Sequence, residues 1–63
     1  MLPSDIKSKA LRDAYYMVQS IIAERYESAL RATTDNETRK RLTAQFNRDI
    51  RDTIEYYVNL SSN

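Results

Sequence analysis

The side chains able to do chemistry in this sequence are arginines, tyrosines and carboxylates, because histidine and cysteine are both absent. The commonest general base and the strongest nucleophile are therefore missing. Ser4, Ser8, Ser20 and Ser28 lie in no Gly-x-Ser-x-Gly elbow, and a chain without glycine has no glycine loop to cradle phosphate. Asp49 and Asp52, three residues apart, could serve as paired carboxylates on one helix face, but Arg48 and Arg51 beside them favour ordinary surface pairing. Structural zinc is excluded in practice, since carboxylates alone rarely hold it. The expectation is a non-enzymatic protein with no cofactor. What remains is binding chemistry: the basic run Arg39-Lys40-Arg41 with Arg48, the tyrosine pairs Tyr15-Tyr16 and Tyr56-Tyr57, and Arg25.

Two helices must position these groups. Pro3 is the only proline, and Thr33-Thr34-Asp35-Asn36 is the only interior cluster of turn-forming residues. The first helix is expected over about residues 4–32, with Ser4 as N-cap and Asp5 in its first turn. The second is expected over about 36–60. Thr34 with Glu37 fits a capping box there, with Asp35 and Asn36 as competing caps. Ser61-Ser62-Asn63 reads as a frayed end. Apolar residues recur at helical spacing around Val18 (Leu11, Ala14, Tyr15, Ile21, Ile22, Ala29, Ala32) and around Ile50 (Leu42, Phe46, Ile54, Tyr57, Val58, Leu60). Asp5–Lys9, Glu27–Arg31, Asp35–Arg39 and Glu37–Arg41 are spaced to pair at i,i+4, each for a few tenths of a kcal/mol. A break this short folds the helices into an antiparallel hairpin, each arm on the order of 40 Å long.

A chain of 63 residues makes one small domain, residues 1–63, with a marginal core of its own. With no disulfide or metal to brace it, self-association is the remaining source of stability. Each apolar stripe is wider than a two-helix seam requires, so a lone hairpin leaves an apolar strip exposed. A homodimer closing into an all-α four-helix bundle about a two-fold axis buries it. In size and shape such a bundle resembles the plasmid-encoded RNA-binding helical hairpins of the Rop type. The resemblance is architectural, with no shared residue motif. The net charge of +1 creates no strong nucleic-acid field. No run is long and apolar enough for a membrane span or a signal peptide. The expected setting is intracellular, cytoplasmic and away from membranes.

Within this frame Arg25 lies about 20° from the centre of the first stripe. There it must snorkel, pair with a carboxylate or bind an anion. Counted from the turn it is level with Thr43 and Asn47, so the three are read as a polar layer that fixes register, with an anion or partner pocket around Arg25, or simple exposure of Arg25 at a splayed end, as the alternatives. Tyr16, Ala23 and Leu30 repeat every seven residues along one outer ridge, and Tyr56 could approach Tyr16 at the open end. Exposed tyrosine near arginine is the composition of protein-binding hot spots. Covering neighbouring helix turns is the plainer use of the same rings. Arg39, Lys40, Arg41 and Arg48 form the only basic concentration. A dimer would double it for RNA, DNA or a small nucleotide, although interleaved acids point to a solvated face.

The reading that follows is a small homo-oligomeric inhibitor, adaptor or regulator of another protein, with nucleic-acid or nucleotide binding as the alternative. Composition and size fit phage or plasmid accessory proteins. A part in a larger assembly would use the same apolar strips.

Overall fold

The computed structural model describes residues 1–62. All regular structure among them is helical: a 3₁₀ turn at Pro3–Asp5, then α1 at Lys9–Arg31 and α2 at Asn36–Ser61. The two long helices pack as an antiparallel hairpin measuring 42 × 16 × 13 Å.

The first helix begins five residues later than the expected start at Ser4. Its N-cap is Ser8, whose Oγ accepts the Leu11 N–H at 3.3 Å. Upstream, the Asp5 carboxylate accepts the Leu2 N–H at 2.8 Å and holds the 3₁₀ turn. Asp5 is thus committed locally and does not pair with Lys9, which reaches Asp13 at 3.3 Å instead. Ile6 follows in extended backbone and is completely buried. Full burial of such a side chain contributes about 1.5–3 kcal/mol, more than one added turn of exposed helix. The lead is tied down where the Lys7 N–H donates to Ser61 Oγ at 3.1 Å. It touches both long helices.

At the turn, Asp35 wins the competition to cap α2. Its Oδ2 accepts the Thr38 N–H at 3.1 Å and the Thr38 hydroxyl at 2.7 Å. The Thr34–Glu37 capping box therefore does not form, and Glu37 pairs with Lys40 at 3.8 Å rather than with Arg41. Arg39 does not pair with Asp35 either. Its Nη1 donates to the Leu30 and Thr33 carbonyls, both at 3.1 Å, covering the C-terminal end of α1. The reversal needs no residue at positive φ among those described, which explains how a glycine-free chain can make it. Glu27–Arg31 forms as expected, at 3.6 Å.

The Thr38 hydroxyl and N–H hold the Asp35 carboxyl below its ordinary range. A lowered folded-state value means stability is present above the unfolded pKa and is lost as pH falls through the folded one. Acidification from about pH 5 to about pH 2 should therefore lower the thermal midpoint more in the native protein than in Asp35→Asn. The asparagine amide can still cap but does not titrate. Parallel melts followed by circular dichroism check this.

Only two side chains among the described residues are fully covered, Ile6 and Tyr15. The inward row of α1 reads Tyr15, Gln19, Ile22, Tyr26, Ala29, in alternating steps of four and three. Tyr26 stacks on Phe46 of α2 with centroids 4.4 Å apart and planes 23° from parallel. The Thr43 hydroxyl donates to the Arg39 carbonyl at 3.0 Å, so it accepts from the Tyr26 hydroxyl at 2.7 Å. Ile21 and Leu60, expected in the core, are 46% and 42% exposed. A lone pair of helices covers only a narrow strip of each, and these positions lie beyond it.

Candidate interaction surface

The antiparallel pairing gives the hairpin two long sides, and they differ. On the first, α1 contributes Val18, Ile22, Arg25 and Ala29, and α2 contributes Leu42, Gln45, Asp49, Asp52 and Tyr56. Two hollows there share Ile22 and Asp49, so they form one groove running from the Arg25 level to the tyrosines of the open end. On the second side the N-terminal lead lies along α2. Met1 borders a hollow with Asn47, Ile50 and Ile54, and Lys7 is bound to Ser61. The chain thus covers part of its second side with its own N-terminal residues and leaves the first open.

This division separates residues that the sequence reading grouped. Arg25 lines the first side, while Asn47 lies on the second and Thr43 is bonded to Tyr26. The expected Arg25–Thr43–Asn47 layer is therefore not assembled. The physical reason is a rotation of about 60°. Centring the stripe on Val18 counted the exposed Ile21 as core and drew Arg25 inward, whereas the inward residue at that level is Tyr26. Arg25 is exposed and forms no ion pair among the described residues.

The tyrosines form a chain of edge-to-face contacts across the open end. Tyr16 meets Tyr15 at 5.4 Å, Tyr15 meets Tyr57 at 6.3 Å and Tyr57 meets Tyr56 at 5.2 Å between centroids. Tyr16 and Tyr56 are the outer rings, 48% and 61% exposed. Two rings stand between them, and Tyr56 borders the groove, so the two do not make a single patch. Ala23 and Leu30 share the Tyr16 side of α1 but are half-buried, leaving Tyr16 as the prominent member of that ridge.

The basic group is also divided. Arg39 is engaged with the turn carbonyls and Lys40 with Glu37. Arg41 and Arg48 are exposed and carry no ion pair among the described residues. No cluster of His, Cys, Asp and Glu suited to a metal ion occurs among the described residues. No helix among them is long and apolar enough to cross a membrane.

Two structurally central residues escaped the sequence reading. Tyr26 was legible in the four-three spacing from Tyr15 through Ile22 to Ala29. Ile6, isolated among polar neighbours, carried no periodic signal. Comparison with protein-family models, with curated proteins and with solved structures returns no match.

Proposed function

We propose that this protein is a small, non-enzymatic helical interaction protein that acts as a homo-oligomer and serves as an inhibitor, adaptor or regulator of another protein. One observation carries the reading: in a chain of 63 residues, only Ile6 and Tyr15 among the described ones are fully buried, while Tyr16, Met17, Ile21, Tyr56 and Leu60 stay exposed. Single exposed apolar residues are ordinary, but a continuous apolar groove on a small monomer marks a binding surface. Self-association covers the groove, and the Tyr16 ridge with Ala23 and Leu30 remains on the other side for a protein partner.

Size-exclusion chromatography with light scattering, recorded with the ultraviolet absorbance ratio, tests this. A dimer or higher oligomer with a protein-like ratio is expected. A folded monomer at micromolar concentration overturns the homo-oligomer. Tyr16→Ala should weaken partner binding about tenfold or more, the scale of an aromatic hot spot, with the helical content unchanged. Retained binding removes Tyr16 from the partner site.

The exposed Arg41 and Arg48 favour one second reading, RNA, DNA or nucleotide binding by a dimer along the outer face of α2. An oligomer that elutes with nucleic-acid absorbance, lost in Arg41→Glu/Arg48→Glu, would put that reading first.

A further inference from the structure

We infer that the open groove is the self-association site, and that its occupant is a second copy related by a two-fold axis parallel to the helices. In this arrangement α1 of each copy lies over α2 of the other and both turns sit at the same end. The inference rests on the homo-oligomer proposed above and specifies its face and symmetry.

Three observations point to a second copy. The first is area. A folded monomer of 7.4 kDa exposes about 4,200 Å², whereas this chain exposes 4798 Å². The excess, about 600 Å², belongs to the elongated 42 × 16 × 13 Å hairpin as a whole, and covering one long side in a standard interface would remove ~800 Å² per partner. The second is asymmetry. The N-terminal lead lies along the other side of α2, so the groove side is the one the chain leaves uncovered.

The third observation is charge, and it selects the symmetry. The α1 rim of the groove carries Arg25, and the α2 rim carries Asp49 and Asp52. Asp49 is half-buried; its carboxylate accepts from the Gln45 amide at Oδ1, 2.8 Å, and its Oδ2 has no hydrogen-bond partner among the described residues. Two face-to-face two-folds are available. An axis across the helices sets α2 on α2 and brings the acidic rims together. An axis along the helices sets the basic rim of each copy on the acidic rim of the other. Tyr26 is level with Phe46 through their stack, so in antiparallel register Arg25 is level with Asn47 and Asp49 lies two residues on. Two residues of helix span about 3 Å, within reach of an arginine side chain.

Tyr56 would close the interface near the open end. The exposed Ile21 continues the α1 seam in the order Ala14, Val18, Ile21, Arg25, the four-three spacing of bundle-facing positions.

The sequence has no cysteine, so Thr34→Cys gives one unique spin-label site at the turn. Dipolar distance measurement on the labelled full chain should give a label separation below about 30 Å, since bundle helices pack 8–10 Å apart. Turns at opposite ends of a body 42 Å long would give about 40 Å or more. Arg25→Asp should raise the dimer dissociation constant about 30-fold or more, and Arg25→Asp/Asp49→Arg should recover most of that loss. Arg25 is exposed, so the single variant should keep its helical circular dichroism. A dimer with the long separation, or one indifferent to Arg25→Asp, overturns the face and symmetry while the homo-oligomer stands. A monomer overturns both and leaves the groove to a different protein.

Discussion

Tyr15→Ala should leave most of the protein unfolded at room temperature. Tyr15 is 1% exposed and packs edge-on against both Tyr16 and Tyr57 at the open end. Truncating a buried aromatic ring to alanine costs about 3–5 kcal/mol. The whole stability expected of a 63-residue chain is about 3–9 kcal/mol, so this one ring accounts for a large share. Helical circular dichroism under urea should show the transition shifted to near zero denaturant. Tyr15→Phe keeps the ring and should cost less than about 1 kcal/mol, because no group among the described residues hydrogen-bonds the hydroxyl.

The same pair of variants separates packing from ionisation. Burial, with a smaller contribution from Tyr16, pushes the Tyr15 hydroxyl above the ordinary tyrosine value. The neutral form is favoured in the folded state. Stability is therefore present below the unfolded pKa and is lost as pH rises through the folded one. Above about pH 10 the native protein should lose helicity together with phenolate formation, and Tyr15→Phe should stay folded further into alkali. Identical alkaline curves would remove Tyr15 from the transition.

Ile6→Ala should cost about 2–4 kcal/mol, the range for truncating a buried aliphatic chain. Ile21→Ala, the same chemical change, should cost less than about 1 kcal/mol when the chains are kept dilute and separate. Ile6 is completely buried, next to a 3₁₀ turn that touches both helices, whereas Ile21 is 46% exposed. Loss of Ile6 should also release the Lys7–Ser61 tie. Amide exchange would then accelerate in the last turn of α2 and in the lead, and much less at the Asp35 turn. Equal costs for the two isoleucines would show that the lead does not brace the open end.

The two isoleucines also show where sequence reasoning stops. Helical periodicity ranks Ile21 with the core, because it sits three residues from Val18 on the same broad stripe. The same rule passes over Ile6, whose neighbours are Asp5 and Lys7. Burial of Ile6 depends on a 3₁₀ turn and a capping serine that let the lead fold back, and that is a matter of three segments meeting in space.

By itself the sequence determined the two helices, the turn between them and the absence of histidine and cysteine chemistry. These follow from local rules: propensity, period, turn residues and residue types act within a few positions of themselves. The tertiary structure alone decided which residue of each wide stripe points inward. Arg25 and Tyr26 differ by one step of 100°, and only the stacking of Tyr26 on Phe46, with its hydroxyl on Thr43, selects between them. It also decided that Arg39 closes the turn, that Tyr16 and Tyr56 are held apart by two rings, and that one side of the hairpin is covered by the lead while the other stays open. The rotation of two packed helices about their axes is set by long-range contacts, and a stripe wider than the contact it must make leaves that rotation undetermined.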